Sequence, residues 1–319
     1  MIPVKLPKVF PFLKFLHLVG GKIFKPCFWD TTRPIEEKLN FENPLVEIGF
    51  GKGDFALWLA QRFFDQPVLA VDKWHPGVKA LIHKCLGKGY KNLFVFNLDA
   101  HLFVDYLLKT NSVRAFFFNY PDPFFKKRDI RRRLLKTSFL RKLALKLQEG
   151  GKVYIRTDIE DYYLYILEQL QPLKKIFEIR KGFDLDLPTT KYEQKALREG
   201  RKPLKLLLIK LKTPEGVTDK EVEPLRTVRV ERYSPSQLEV GKEFKDAKRG
   251  YFFKVENFYR GEKIDLVEIY VGEEGFYQQV FVGIFKTKSG EVILKPKSFA
   301  VGVKSLSWAV EELSKLVGG

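Results

Sequence analysis

Residues 45–53 read Leu-Val-Glu-Ile-Gly-Phe-Gly-Lys-Gly, an apolar run that passes into three alternating glycines, after which Phe55, Leu57, Trp58 and Leu59 begin a helical pattern. A strand feeding a glycine loop and a helix is how a doubly wound α/β domain opens. Alternating glycines let the backbone pass close under a ligand, and the helix start beyond them presents unpaired N–H groups. Working outward, short β-branched or aromatic runs recur at Val68–Val71, Leu93–Asn97, Ala115–Phe118, Lys152–Thr157 and Leu206–Leu211, with helical patterns between them. The clearest of these places Ile130, Leu134, Leu143 and Leu147 on one face and is closed by Gly150-Gly151. Residues 44–212 are therefore expected to form one α/β domain with a largely parallel sheet.

Each of the first four strands ends in an acid: Glu47, Asp72, Asp99 and Asp122. In a parallel sheet these ends share one edge, the edge where ligands bind. Asp72 stands 25 residues after Glu47, where a carboxylate can accept both hydroxyls of a ribose. The dinucleotide fingerprint would need its third glycine at the position held by Asp54, and it tolerates no acid in the strand before the loop. Glu47 would repel a pyrophosphate. It suits a cofactor with a cationic amino-acid end, which favours S-adenosylmethionine over NAD, with Gly49 and Gly51 under the ligand. Asp99 can accept from an exocyclic amine such as that of adenine, or can cap a helix.

Residues 119–136 read Asn-Tyr-Pro-Asp-Pro-Phe-Phe-Lys-Lys-Arg-Asp-Ile-Arg-Arg-Arg-Leu-Leu-Lys. The two prolines fix φ around Asp122, and Lys126, Lys127, Arg128, Arg131, Arg132 and Arg133 follow with only Asp129 against them. A carboxylate held beside such a field points to chemistry on a nucleic acid, with Lys127, Arg128 and the three arginines 131–133 on phosphates. The alternative is a solvated basic helix.

The 319 residues suffice for two domains, and the charge divides them. Residues 1–212 hold 40 Lys and Arg against 22 Asp and Glu, whereas residues 213–319 hold 17 of each, so the net charge of +18 belongs wholly to the first part. The N-terminal extension, residues 1–43, shows no signal-peptide cleavage pattern, and no apolar stretch reaches membrane-spanning length, so the protein is expected in the cytoplasm. Cys27 and Cys85 are isolated, so neither a disulfide framework nor a zinc site can be built from them, and no metal is expected. Residues 213–226 read as a polar linker. Residues 227–319 read as a small β-rich accessory domain closed by a helix, Val303 to Leu316. Its strand Gln278–Phe285 is apolar on both faces and is expected to be covered on both. With no net charge, the domain is expected to add little electrostatic affinity for a polyanion. Monomer and homodimer both remain open.

Five separated motifs resemble the bacterial tRNA (guanine-N7-)-methyltransferases: Glu-Ile-Gly-Phe-Gly-Lys-Gly at 47–53, His-Pro-Gly-Val at 75–78, Pro-Asp-Pro-Phe-Phe-Lys-Lys-Arg at 121–128, Arg-Thr-Asp-Ile-Glu-Asp-Tyr at 156–162, and Thr-Lys-Tyr-Glu at 190–193. The resemblance covers about residues 28–212 and stops short of the accessory domain. The family commonly has Glu where Asp72 stands and Trp where Phe124 stands, exchanges that keep a carboxylate and an aromatic ring. The resemblance implies a Rossmann-like class I methyltransferase domain that uses S-adenosylmethionine to methylate N7 of a tRNA guanine, the variable-loop guanine at tRNA position 46. It implies that Glu47, Asp72, Asp99 and Asp122 shape the cofactor pocket, and that Lys126, Asp158, Thr190 and Glu193 face the target base. Asp122 is the expected catalytic group. Asp158 or Glu193 could accept from the guanine N1–H and N2 amine. The segment at 190–193 is expected to be a loop that orders on RNA.

Overall fold

The computed structural model describes residues 35–85, 88–183, 187–273, 276–287, 290–297 and 300–318. Most of the N-terminal extension, with Cys27, lies outside them. The chain divides into two compact units, one built on Leu39–Asp219 and the other on residues 35–38 together with 220–318. The boundary falls inside the stretch read as a linker. Lys146 and the Thr110 hydroxyl both reach the Asp219 carboxylate, tying that half of the stretch to the first unit.

The first unit is a seven-stranded sheet with strands β1 (Leu45–Ile48), β2 (Val68–Val71), β3 (Leu93–Phe96), β4 (Val113–Asn119), β5 (Leu147–Thr157), β6 (Phe177–Lys181) and β7 (Leu204–Lys210). Their order across the sheet is β3-β2-β1-β4-β5-β7-β6. The first five pair in parallel, while β7 runs antiparallel to both β5 and β6. β1 and β2 are buried at every position, as apolar parallel strands covered on both faces must be. Alternation along β4 shows the two layers. Phe117 packs on Phe55 of helix α1 (Asp54–Arg62), with centroids 5.4 Å apart. Its neighbour Phe118 packs on Phe139 of helix α3 (Thr137–Lys146) at 6.4 Å. Helix α2 (His75–Cys85) joins α1 over β1 to β3 through Val78, Leu81 and Ile82. Helices α4 (Glu160–Leu170) and α5 (Lys191–Arg198) follow β5 and precede β7. An open sheet of this order, with one reversed strand inserted between β5 and β6, is the Rossmann-like class I methyltransferase architecture.

Two elements differ from the expectation. β6 was not foreseen, and the basic segment is not one helix. Residues Lys127–Arg132 form a tight 3-10 turn, residues 133–136 are non-helical and bend at Leu134, where the Lys136 N–H donates to the Leu134 carbonyl at 2.8 Å, and α3 begins only at Thr137. Gly150 and Gly151 lie within β5 instead of ending a helix. The cause is Arg133, which turns inward and draws the backbone out of helical geometry.

The second unit is a six-stranded antiparallel sheet, ordered β8-β13-β12-β11-β10-β9. Its strands are β8 (Val228–Val230), β9 (Glu243–Asp246), β10 (Tyr251–Tyr259), β11 (Ile264–Glu273), β12 (Phe276–Lys286) and β13 (Val292–Pro296). Helix α6 (Lys304–Gly318) buries Leu306, Trp308, Val310 and Leu313 against one face. On β12 the buried set is Val280, Val282 and Ile284, while Phe281 and Phe285 are only half-buried on the other face. Within this unit, α6 covers the face that carries Val280, Val282 and Ile284.

Candidate functional site

The parallel pairing of β1 to β4 brings Glu47, Asp72, Asp99 and Asp122 to one sheet edge. The glycine loop after β1 has φ of 78°, 58° and 78° at Gly49, Gly51 and Gly53. Gly51 uses that left-handed geometry to donate its N–H to Asp72 Oδ2 at 2.8 Å, and Trp74 N–H donates to Oδ1 at 2.8 Å. Gly77 lets α2 approach the loop, because a Cβ there would lie 2.1 Å from the Gly51 carbonyl oxygen. Burial raises the Asp72 carboxyl above its usual range, against the pull of those N–H groups. Each oxygen keeps a lone pair for a ribose hydroxyl.

Two cavities meet at Gly49. One, of about 370 Å³, is lined by Asp72, Asp99, His101, Asp122 and Phe124 among others. The second, of about 470 Å³, is lined by Glu47, Gly51, Trp74, Asn119 and Thr190 among others. Both fall in the range of small-ligand sites. Asp99 caps the next helix, its Oδ1 accepting from His101 N–H at 2.9 Å, while Oδ2 lies 3.5 Å from Lys73 Nζ at the cavity wall.

Glu47 is 1% exposed and accepts from Asn119 Nδ2 at 3.0 Å through Oε1, while Oε2 is buried with no partner. Burial pushes its carboxyl up to about 8, opposed by the Asn119 hydrogen bond and the charge of Arg156. A buried carboxyl with one unpaired oxygen, lining a cavity, fits an incoming ammonium group.

Arg156 connects this acid to the 190–193 segment. Its Nε donates to Asn119 Oδ1 at 2.8 Å, and Nη1 donates to Glu193 Oε2 at 3.0 Å and to the Pro188 carbonyl at 3.1 Å. It is 1% exposed and lies over the Phe55 ring at 5.2 Å. Sequence reading quoted Asn119 and Arg156 without giving either a role. The available signal was a charged residue one place after buried Ile155 in a core strand, which has to be paired.

Several expected site residues sit differently from the reading. Thr190 is not in a loop. Its hydroxyl accepts from Glu193 N–H at 3.1 Å and starts α5, as Ser/Thr-x-x-Glu does at helix N-termini. Glu193 and Asp158 each already hold an arginine, Glu193 Oε2 accepting from Arg156 at 3.0 Å and Asp158 Oδ2 pairing with Arg201 at 2.8 Å. Arg133 is not a surface cation. It is 8% exposed, donates from Nε to the Pro123 carbonyl at 2.7 Å, and lies over the Tyr165 ring at 4.6 Å. Arg132 stacks on Phe124 at 4.6 Å and lines the first cavity while remaining exposed, as are Lys126, Lys127, Arg128 and Arg131.

Asp122 itself is exposed at the mouth of the first cavity, where its Oδ1 accepts from Phe124 N–H at 3.1 Å. Tyr120 and Phe124, on either side, have φ of 55° and 45°, left-handed values that cost energy for aromatic residues. Arg133 and Arg132 hold the strained turn in place. Among the described residues no His, Cys, Asp or Glu cluster could hold a metal, and no helix is long and apolar enough to cross a membrane.

Residues 42–206 match the family model described as "Putative methyltransferase". The tRNA (guanine-N(7)-)-methyltransferase of Aquifex aeolicus is 35% identical over 294 residues, covering 89% of this chain and 96% of its own. That of Paracoccus denitrificans is 35% identical over 167 residues, covering 50% of this chain and 68% of its own. A solved rRNA methylase from Streptococcus thermophilus superposes with a TM-score of 0.38 and 19% identity over 55% of this chain and 90% of that one. The 89% coverage leaves about 35 residues of this chain unaligned, so most of residues 213–319 has a counterpart in the Aquifex protein. The expectation that the resemblance stops before the accessory domain is corrected for that relative. On the family model and on the Aquifex and Paracoccus relatives, the chain belongs to the tRNA (guanine-N7-)-methyltransferase family.

Proposed function

We propose that the chain methylates N7 of a tRNA guanine, the variable-loop guanine at tRNA position 46, using S-adenosylmethionine, and that it works in the cytoplasm. The observation that carries this reading is Glu47, a buried carboxyl with an unpaired oxygen on a cavity that the α5 start also lines and that meets the Asp122 cavity at Gly49. Glu47 receives the cofactor's ammonium, Asp72 its ribose hydroxyls and Asp99 its adenine amine, with Gly49 and Gly51 beneath. When bound, the cofactor supplies an electrophilic methyl carbon.

Guanine N7 carries an in-plane lone pair and no proton, so the site needs no general base. What its residues must do is hold the base in line, which supplies up to about 7–11 kcal/mol in well-oriented model reactions. Methylation leaves the imidazole ring cationic, and the fixed Asp122 carboxylate stabilises that charge as it develops. Lys126 and the α5 start at Thr190 bound the base, while Glu193 acts through Arg156, and Asp158 through Arg201. Lys127, Arg128 and Arg131 provide the exposed phosphate contacts.

The test is labelled methyl transfer to an unmodified tRNA transcript and to one made with 7-deazaguanosine. The first should accept one methyl group per molecule and the second none. Equal labelling of both would remove N7 as the acceptor.

A further inference from the structure

The outer face of the second unit's sheet carries rings that its own core does not use. Val255, Val267, Ile269, Val280 and Val282 face α6 and are buried. The alternate positions on β10, β11 and β12 carry Phe252, Tyr270, Tyr277, Phe281 and Phe285, of which Tyr270 is 40% and Tyr277 53% exposed. Tyr270 and Tyr277 are diagonal neighbours on adjacent strands, with centroids 5.7 Å apart and planes 10° from parallel. Phe252 meets the Tyr270 ring edge-on at 6.3 Å.

Two glycines make this surface low. Gly272 pairs directly with Tyr277, and a Cβ on it would lie 2.2 Å from a Tyr277 ring carbon. A Cβ on Gly283 would lie 2.8 Å from the Phe285 ring. Both rings therefore lie across bare backbone and turn a π face outward. Large aromatic rings laid open on a sheet are uncommon unless something covers them.

The charges around the rings are cationic. Lys297 Nζ is 5.1 Å from the Phe285 centroid, and Lys245 Nζ is 5.9 Å from that of Phe252. Lys295 stands exposed opposite Gly283. Lys245 and Lys254 pair with Glu243 and Glu256 at 3.1 Å each, but among the described residues Lys295 and Lys297 have no carboxylate partner. The central acid, Glu268, is 8% exposed and already accepts from Asn257 Nδ2 at 2.7 Å, from the Tyr259 hydroxyl at 3.1 Å and from Gln279. The neutral total of residues 213–319 thus conceals a face on which two lysines stand without a carboxylate partner among the described residues.

Parallel aromatic faces flanked by lysines suit unpaired nucleotides, because every base has a π face and every linkage a negative charge. We propose that this face binds single-stranded nucleotides of the RNA substrate, stacking bases on Tyr270, Tyr277 and Phe285 with Lys295 and Lys297 at the phosphates. The proposal rests on the tRNA reading above for its source of RNA, not for its chemistry.

The test uses the full chain as wild type, Tyr270→Ala/Tyr277→Ala and Tyr270→Phe/Tyr277→Phe. Fluorescence anisotropy with a short labelled oligouridylate and with a blunt RNA duplex is run beside tRNA methylation kinetics. Each lost stack should cost about 5- to 150-fold in affinity. The alanine pair should therefore bind the oligouridylate at least tenfold more weakly and show a raised KM for tRNA, with kcat and cofactor affinity unchanged. The phenylalanine pair, which keeps both rings, should stay within about twofold of wild type and so control for folding. An alanine pair that binds oligouridylate like wild type overturns the proposal. So does one whose sedimentation shifts from dimer to monomer with RNA affinity intact, since the face would then be covered by a second copy. Wild-type chain that binds the oligomer through these rings but methylates no tRNA would sink the reaction and leave this face standing.

Discussion

Cofactor binding should follow the protonation of Glu47. Its carboxyl is pushed up to about 8 by burial, so about 1% is ionised at pH 6 and about half at pH 8. An α-amino group titrates near ~7.7–8.0, so the ligand is almost wholly cationic at pH 6 and about half cationic at pH 8. The competent ion pair is then available in about 1% of encounters at pH 6 and about a quarter at pH 8. Affinity for S-adenosylmethionine should accordingly rise about 25-fold, close to ~1.9 kcal/mol, over those two pH units and fall again above pH 8. Binding should release nearly one proton at pH 6–7 and take one up at pH 9. Isothermal titration calorimetry in buffers of different ionisation enthalpy measures both. Glu47→Gln keeps an acceptor for Asn119 but cannot ionise, so it should bind weakly and lose the acid limb. A wild-type Kd that is flat from pH 6 to 8, or proton release that survives in the Gln variant, would refute the assignment.

The same shift has a consequence for stability without cofactor. A carboxyl with a raised folded pKa contributes fully below its unfolded value near 4.5 and loses that contribution as pH rises to about 8, so Glu47→Gln should melt higher than wild type by a margin that opens across that window and then levels. Thermal scans over pH decide it, and saturating cofactor should reverse the order. Asp122→Ala should lower kcat by about 10²–10³ while tRNA affinity in a gel shift barely moves, because the residue acts on developing charge and touches no phosphate. Lys127→Ala/Arg128→Ala/Arg131→Ala should flatten the log–log salt dependence of tRNA binding by roughly 2–3, whereas Arg133→Ala should leave that slope alone and cost about 2–3 kcal/mol of stability in denaturant titration. Arg156→Lys, which keeps the charge but not the fork joining Asn119 to Glu193, should depress kcat more than cofactor affinity; equal loss of both would make Arg156 purely structural.

The cofactor half of the site was legible because its signals are local. Glu47, the glycines and Asp72 sit in or beside apolar runs that can only be buried strands. The substrate half was not, because it depends on partners far apart in sequence. Nothing near Glu193 says that its carboxylate meets Arg156, 37 residues away, and nothing near Asp158 announces Arg201. The Thr190-to-Glu193 spacing carries a helix-start signal, but the polar, Pro-containing sequence before it carries an equally strong loop signal. The basic run misled in the opposite sense. Ile130, Leu134, Leu143 and Leu147 match a helical period, yet Arg133 finds the Pro123 carbonyl and two tyrosine rings inside, and those contacts hold its backbone out of helical geometry. β6 was missed because Phe177–Lys181 is an edge strand buried mainly through Phe177. A balanced charge total, for its part, carries no information about which face holds Lys295 and Lys297.

The most direct measurement is incubation of the full chain with S-adenosylmethionine and an unmodified tRNA transcript, followed by borohydride reduction and aniline cleavage, which cuts RNA at 7-methylguanine. The account predicts one new cut, at the variable-loop guanine, absent with Asp122→Ala and with a transcript carrying adenine there. Methyl incorporation without any cut, or cuts spread over many guanines, would contradict it.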